Sequence, residues 1–315
     1  MATTTTLLPS LPPPTGRAGL RGAITSEFTK IRSVRSTYWT LAALLLVSVG
    51  IGAAITAGTA ANFSHNPGNK AGFDATMISL VAFFEIGQLI IAVIAALAIT
   101  SEYSTGMIRT SLTAQPRRGR VYAAKAIVIT SLTLIVSLVT SFIAFFVGQA
   151  LLSSSGVSAS LFHSVTIPQN ANVTCPQQGA GSGGPPPGCK VAFSGTDVIS
   201  PTTVLLAIIG CALFVTLVAI IAFGIGAMVR HTAGAIAIAI AALFIIPVVE
   251  QALPNEWRWD IMRFLPDAAN QVVSVTIGNN APAHLWSAWP QLGVTALWAA
   301  ALLAAGAYLF RKRDA

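Results

Sequence analysis

Charged side chains are scarce in this sequence. They make up 9% of its 315 residues, against roughly 25% in an ordinary soluble domain, whereas hydrophobic residues make up 54%. Too few polar groups are present to cover a water-facing surface around a chain of this size, so most of it must lie in lipid. This composition excludes a soluble enzyme and a disordered chain.

The sequence also lacks the motifs of common catalytic and nucleotide-binding sites. It contains no G-x-x-x-x-G-K-S/T phosphate loop, no H-E-x-x-H zinc motif and no G-x-S-x-G nucleophile elbow. Its four histidines, His65, His163, His231 and His284, are scattered. The sequence therefore disfavours an intramembrane enzyme and predicts no metal site.

Long apolar runs, by contrast, are abundant. Six of them reach or approach the length of about 20 helical residues that crosses a bilayer. They lie near residues 37–59, 75–100, 124–152, 203–229, 233–250 and 290–310. The fifth alternates like a strand, but a lone strand cannot satisfy its backbone hydrogen bonds in lipid. We expect an all-α polytopic membrane protein, with residues 17–310 forming one six-helix transmembrane domain.

The basic residues are divided unequally between the connections. Fourteen of the 18 Lys and Arg residues lie in 1–36, in 101–125, at Arg230 and in 311–315. Because cytoplasmic loops are enriched in basic residues, both termini are predicted to be cytoplasmic. The net charge of +8 is then explained by topology, and nucleic acid is not an expected partner.

Several segments lie outside the predicted spans. Residues 1–16 are Pro-rich and predict a flexible tail, and 311–315 predict a basic cytoplasmic tail. The outer loop 153–202 is polar with a Pro/Gly-rich centre, so we expect it to be mobile. Its Cys175 and Cys189 lie on the oxidising side and predict a disulfide that closes this loop.

Two further connections are predicted to contain interfacial helices. Leu20, Ile24, Phe28 and Ile31 recur at helical spacing among basic residues, which is typical of an amphipathic helix at the cytoplasmic interface, although a basic tail that only sets orientation is the alternative. Residues 251–289 hold four of the six tryptophans. Because indole rings favour the membrane interface, this segment predicts an outer helical hairpin before the last span.

The cytoplasmic connection 101–120 is longer than a simple turn requires. Its first Ser and Thr residues can cap a helix, and Pro116 is expected to end it. Ile108 and Leu112, four residues apart, would share one face, with Met107 beside them. Such a helix suits a groove on a soluble partner or contact with lipid alone, and both interpretations stay open.

One carboxylate lies near the middle of a predicted span. Glu85 is followed three residues later by Gln88, so the two are expected on one helix face. Intramembrane carboxylates are costly and usually face a cavity or a partner. Glu85 and Gln88 are therefore a candidate substrate path, and the alternative is a protonated Glu85 that hydrogen-bonds a neighbouring helix.

The order of these segments resembles that of the permease subunits of type-two ABC exporters. The match in the cytoplasmic connection resembles the coupling helix of actinobacterial members and consists of Ser101-Glu102-Tyr103-Ser104-Thr105-Gly106-Met107-Ile108-Arg109-Thr110 with Leu112, Pro116, Arg117 and Arg118. Residues 26–33, Ser-Glu-Phe-Thr-Lys-Ile-Arg-Ser, are similar to the helix that leads such permeases into the membrane.

The resemblance implies roles for particular residues. The coupling-helix residues would be Glu102, Tyr103, Gly106, Met107, Ile108, Arg109, Leu112, Pro116 and Arg117. The interfacial-helix residues would be Phe28, Lys30, Ile31 and Arg32. Ile108 and Leu112 would insert into an ATP-hydrolysing partner, while Glu102 and Arg109 would hold the helix to the membrane domain.

The resemblance also implies an assembly of two permease copies, identical or related, with two ABC ATPase subunits. The ATPases would bind ATP and Mg²⁺, so no cofactor is expected in this chain, and membrane lipid is the remaining partner. The predicted function is ATP-driven export of a hydrophobic or amphipathic substrate. Two alternatives stay open, a non-transporting anchor that binds an ATPase and an ion-driven carrier that uses Glu85.

Overall fold

The computed structural model describes residues 19–114, 117–174, 190–254, 257, 260–261, 263–266 and 287–312. The helices, in chain order, are α1 (Leu20–Ser33), α2 (Arg35–His65), α3 (Ala75–Ala82), α4 (Gln88–Ser104), α5 (Met107–Ala114), α6 (Arg118–Leu152), α7 (Pro201–Val229), α8 (Thr232–Gln251) and α9 (Ala288–Lys312). A π-helical turn, Phe83–Gly87, joins α3 to α4, and the strands are β1 (Val165–Thr174) and β2 (Lys190–Ile199).

Among the described residues, five helical stretches are long and apolar enough to cross a membrane. They are Arg35–His65, Ala75–Ser104, Arg118–Ser155, Pro201–Val229 and Ala288–Lys312. The predicted fifth span coincides with α8, whose apolar part, Thr232–Ile245, is shorter. The predicted class, a helical polytopic membrane protein, is confirmed, and the sixth crossing stays a prediction.

Local sequence explains where individual helices begin. The Asp74 carboxylate accepts hydrogen bonds from the backbone amides of Thr76 and Met77 at 3.0 and 2.9 Å and so caps α3. Ser200 accepts from the Thr203 amide at 3.3 Å, and Pro201 occupies the first position of α7. Both arrangements satisfy amide groups that have no partner within the helix.

Helix α7 is the centre of the bundle. It packs against α4, α6, α8 and α9, and 67% of its most apolar stretch is buried, compared with 22% for α2 and for α9. An all-round apolar helix is expected to be buried in this way. Its Phe214 and Phe223 are among the largest fully buried side chains, together with Phe83, Phe84 and Phe145.

The segments predicted to be cytoplasmic gather at one end of the bundle, called here the basic end. Lys30 of α1 lies 3.1 Å from Glu102 near the end of α4. The guanidinium of Arg230, between α7 and α8, lies 5.0 Å from the ring centre of Tyr103. Tyr103 in turn contacts Phe310 near the end of α9, with ring centres 6.4 Å apart.

The opposite end carries a different set of contacts. The Lys70 ammonium donates a hydrogen bond to the Ser155 carbonyl at 2.6 Å, which ties the α2–α3 connection to the end of α6. Strand β1 packs near the same connection, at Pro67–Lys70. The hairpin and the basic end therefore lie at opposite ends of the bundle.

In segment 153–202, the described residues 153–174 and 190–202 contain two paired strands, where a mobile polar loop was expected. Its strands β1 and β2 pair antiparallel, from Val165 opposite Ile199 to Thr174 opposite Lys190. Ile167 and Ile199 are buried, at 2% and 7% exposure, so the hairpin has an apolar attachment to the bundle. These apolar residues flank the Pro/Gly-rich centre, and only that centre was the basis for predicting a mobile loop.

Several predictions lie outside the described residues. These are the flexible tail 1–16, residues 313–315 of the basic tail, Pro116, Cys175, Cys189 and most of the outer hairpin. The predicted disulfide and the predicted hairpin of 251–289 therefore stay predictions.

Candidate functional site

The predicted coupling helix is present as α5, and a sharp reversal separates it from α4. Gly106 adopts a left-handed backbone with φ +70°. The amide of Thr105 donates to the Ser101 carbonyl at 3.0 Å, and that of Gly106 donates to the Tyr103 carbonyl at 3.3 Å. This is the usual way in which a helix ends at a glycine. It explains why Gly106 follows directly on a span and why a new helix begins at Met107.

The two faces of α5 have different surroundings. Ile108 is only 3% exposed and belongs to the main apolar core of the chain, whereas Met107 is 47% exposed. Thr110 and Thr113 are exposed as well, and they follow Met107 at steps of three, so the three side chains form an outward ridge. We call Met107, Thr110 and Thr113 the α5 ridge.

The position of Ile108 differs from the expectation that it inserts into a partner. The spacing of Ile108 and Leu112 shows that they share a face but not which way that face points. In the structure Ile108 anchors α5 to the chain's own core. The side chains of Leu112 and Arg109 are outside the described set, so the roles expected for them stay predictions.

Four charged side chains form a buried cluster behind α5. Lys125 of α6 donates to Glu27 of α1 at 2.6 Å and to Glu102 of α4 at 2.9 Å. Lys30 of α1 donates to the same carboxylates at 2.8 and 3.1 Å. The Lys125, Glu27 and Glu102 side chains are only 7–8% exposed. Two ammonium groups thus balance two carboxylates and connect three helices, and we call this group the ion-pair cluster.

The cluster shifts the pKa values of Glu27 and Lys30. Burial by itself would raise the pKa of Glu27, but Lys125 and Lys30 outweigh this effect and lower the pKa below its ordinary value of 4.5. Burial would lower the pKa of Lys30, but its hydrogen bonds and charge interactions with Glu27 and Glu102 raise the pKa above 10.5. Both groups are therefore charged at neutral pH.

Helix α1 lies where an interfacial helix was predicted. The face that it turns towards the bundle is not the predicted apolar stripe of Leu20, Ile24, Phe28 and Ile31. Ala23 and Glu27 are buried, and Ile31 is half-buried against the core. Phe28 is 56% exposed and Arg32 is exposed. The charged pair with Lys125 turns Glu27 inward, because a buried carboxylate needs a cationic partner. The outward Phe28 is then free to contact lipid.

Two other residues expected to belong to the coupling helix, Tyr103 and Arg117, lie outside α5. Tyr103 is half-buried between Arg230 and Phe310. Arg117 is exposed and directly precedes α6. Arg230 also donates to the Leu309 carbonyl at 3.4 Å, so the α7–α8 turn and the end of α9 meet the end of α4.

The candidate substrate path does not form one face in the structure. Glu85 lies in the π-helical turn and is exposed at the bundle surface, whereas Gln88 is buried at 6% exposure. A π turn changes the angular step per residue, so the spacing of three no longer places two side chains together. Gly87 is required here, because a Cβ atom at this position would lie 2.6 Å from the Phe83 ring.

Sequence reasoning did not assign a site role to Glu27 or Lys125. The sequence context of each residue nevertheless indicated a paired charge. Glu27 is the only acidic residue in the basic segment 1–36, and Lys125 interrupts the start of an apolar run. An isolated charge inside a segment of opposite charge or of apolar character generally indicates a paired residue.

The ion-pair cluster and α5 together form a structural connection between helices. Buried charge pairs hold three helices in one relative position, and α5 projects from them with an outward ridge. Residues 23–172 match the family model for ABC-2 family transporter protein, a little under half of the chain. The match begins in α1, ends in β1 and so includes the ion-pair cluster and α5.

The class of this protein is therefore that of a membrane-embedded transport component. The match over residues 23–172 is a similarity to ABC-2 family transporter proteins, and it supports an ABC-2 type permease subunit. The similarity to this family implies an ABC ATPase as the partner. A comparison with curated proteins found no match.

Proposed function

We propose that this chain is the membrane half of an ATP-driven exporter, with α5 as the contact through which a separate ATPase drives transport. The observation that carries the proposal is the position of α5. It lies at the basic end, faces outward through the α5 ridge and is anchored inward by Ile108. A short exposed helix of this kind gives a soluble partner a defined surface to push or pull.

The ion-pair cluster supplies the connection from α5 to the spans. Glu102 lies two residues before the end of α4 and is paired with Lys125 on α6 and Lys30 on α1. A displacement of α5 would therefore move α4, α6 and α1 together, because buried charges cannot separate without a large desolvation cost. This coupling supports alternating access, in which movement of α5 opens the cavity between two permeases outward.

The rest of the assembly follows from the family and the composition. ATP and Mg²⁺ would bind to the ATPase, and a second permease copy would complete the transport path. Exposed apolar side chains such as Leu46 and Leu297, 69% and 71% exposed, support a location in a membrane, and the family similarity favours the plasma membrane. Apolar walls favour a hydrophobic or amphipathic cargo, moved outward.

The test replaces exposed side chains of the α5 ridge. Met107→Asp combined with Thr110→Asp should reduce co-purification of the ATPase by at least about tenfold, as truncation of a central interface residue typically does. Because both side chains are exposed, thermal unfolding in detergent should remain near that of the wild type. Ser26→Asp, at an exposed position of α1, is the matched control and should keep the ATPase bound.

Capture of the ATPase by the double variant at the wild-type level would reject α5 as the contact. If the partner is captured by the wild type but vesicles containing the complex move no cargo with ATP, the anchor hypothesis replaces export. A Glu85→Gln variant distinguishes ATP-driven export from the ion-driven alternative. Under our proposal the variant should keep ATP-dependent transport, whereas a carrier that uses Glu85 should lose transport.

A further inference from the structure

A cavity lies beside the ion-pair cluster, between α1, α2, α4 and α6, and Met107 of the α5 ridge also lines it. Its volume is about 510 Å³, within the range of about 300–1,000 Å³ that is usual for small-molecule sites. None of the contacts described above gives this cavity a function. The proposed role of α5 as the ATPase contact does not depend on a ligand in the cavity.

The two ends of this cavity differ in chemistry. Ile94, Leu97 and Leu132 line one end, whereas Lys30 and Glu102 line the other. Ile94 precedes Glu102 by eight residues on one helix, which places it about 12 Å further from the basic end. The cavity is thus elongated along the bundle and becomes apolar towards the membrane interior. This shape and polarity match an amphipathic chain molecule.

The polar end is suited to an anionic group. Ser36 and Thr37, in the first turn of the 31-residue helix α2, line the cavity, and no side chain caps this helix. Helix N-termini present amide donors and a positive dipole to phosphate groups. The Lys30 side chain is 33% exposed and lines the same end, which adds a cation.

A second observation at this end calls for a hydrogen-bond donor. Glu102 is 6% exposed and lines the cavity, and its Oε2 atom accepts no hydrogen bond within the described part of the chain. Buried polar atoms are normally paired. The ion-pair cluster is already balanced, with two carboxylates and two ammonium groups. A ligand that carries both a phosphate and a primary ammonium would supply the donor without adding net charge.

We propose that this cavity binds a membrane phospholipid with a primary amine in its headgroup, of the phosphatidylethanolamine type. The phosphate would lie at the α2 N-terminus near Lys30, the ammonium near Glu102, and one acyl chain along Leu97 and Leu132. This lipid is a resident of the permease and not its cargo. The inference rests on the proposed function only for the assignment of the cavity to the cytoplasmic leaflet.

The experiment uses the full-length permease without an ATPase, so its result is independent of the coupling proposal. The protein is reconstituted in nanodiscs with equal amounts of phosphatidylethanolamine, phosphatidylcholine and phosphatidylglycerol, extracted into mild detergent, and analysed by native mass spectrometry. We expect one retained ethanolamine lipid, enriched about tenfold over the choline lipid, because a quaternary ammonium lacks the N–H donor that a charged hydrogen bond requires.

Two variants fill the cavity and one control does not. Leu132→Trp and Leu97→Trp should each remove the retained lipid. Ile135→Trp, on the same helix as Leu132 and 61% exposed outside the cavity, should retain it. Equal retention of the ethanolamine and choline lipids, preference for phosphatidylglycerol, or wild-type retention by both cavity variants would each overturn the proposal. If a variant unfolds in detergent, the headgroup comparison in the wild type still decides.

Discussion

At the scale of single residues, the most constrained side chain is Lys125. It contacts Glu27 and Glu102 at 2.6 and 2.9 Å and is almost completely buried. A buried pair of this kind adds little stability compared with apolar side chains of the same volume, but removal of one partner leaves an uncompensated charge. The cluster is therefore better understood as fixing the positions of three helices than as a source of stability.

The variant Lys125→Ala tests this interpretation. It leaves two carboxylates with only Lys30 as their partner, and the free energy of unfolding should fall by about 3–5 kcal/mol. Thermal unfolding in detergent measures the change. Arg32→Ala, which removes an exposed charge of α1, is the control and should change stability little. Equal effects of the two substitutions would contradict a structural role for the cluster.

The cluster also predicts a pH dependence of stability. The folded pKa of Glu27 is below its ordinary 4.5, so its contribution is fully present above that value and is lost as pH falls through the lowered pKa. The folded pKa of Lys30 is above 10.5, so its contribution is present below that value and is lost as pH rises through the raised pKa. Between these limits the contributions of Glu27 and Lys30 to stability should not vary with pH.

Unfolding curves measured from pH 3 to 7 for the wild type and for Glu27→Gln test the acid limb. The wild type should lose stability relative to the variant on acidification, because only the wild type has this carboxylate to protonate. A constant difference between the two proteins over that range would show that Glu27 does not titrate with folding.

At the scale of secondary structure, the junction between α4 and α5 decides how the coupling segment is presented. Gly106 has φ +70° and open space around it, so its constraint is backbone conformation and not crowding. A residue with a Cβ atom is strained in this conformation by about 1–2 kcal/mol. The direction of α5 therefore depends on this single glycine.

Gly106→Ala should destabilise the protein by about 1–2 kcal/mol and weaken ATPase capture, since α5 would change direction. Gly22→Ala is the matched control, because Gly22 lies within α1 and an added Cβ there meets no atom within 4 Å. That control should be neutral or stabilising by up to about 1 kcal/mol. Unchanged ATPase capture and unfolding in the Gly106 variant would reject the importance of the turn.

At the scale of the whole molecule, the structure separates a basic end from an end that carries the hairpin. The basic end brings together connections that are far apart in sequence, for example Glu27 with Lys125 and Tyr103 with Phe310. The hairpin is attached at the other end through Ile167 and Ile199. In the predicted orientation the basic end, with the α5 ridge, lies in the cytoplasm and the hairpin lies on the opposite side of the membrane.

Labelling with a membrane-impermeant maleimide checks the orientation. Single cysteines are introduced at the exposed positions Ser26, Thr113 and Thr196 in a background without Cys175, Cys189 and Cys211. In intact cells Thr196→Cys should react, whereas Ser26→Cys and Thr113→Cys should react only after permeabilisation. Reaction of either of the latter two in intact cells would contradict a cytoplasmic basic end.

Much of the fold could be predicted because lipid imposes a simple rule on the sequence. Apolar length located the helices α2, α3–α4, α6, α7 and α9 to within six residues at each end, since backbone groups in lipid must be satisfied within each helix. The same rule carries no information on which face of a helix is inward. Ile108 is the clearest example, because its spacing predicted a face but not the direction of that face.

The sequence by itself determined the class of protein, the places of its long apolar helices and a separate short helix within the connection 101–120. Only the tertiary structure decided which charges meet, since Glu27, Lys30, Glu102 and Lys125 come from three helices whose packing brings them within hydrogen-bond distance. It also decided that Gln88 is buried while Glu85 is exposed. The physical reason is that hydropathy depends on local composition, whereas pairing of charges depends on contacts between residues up to 98 positions apart.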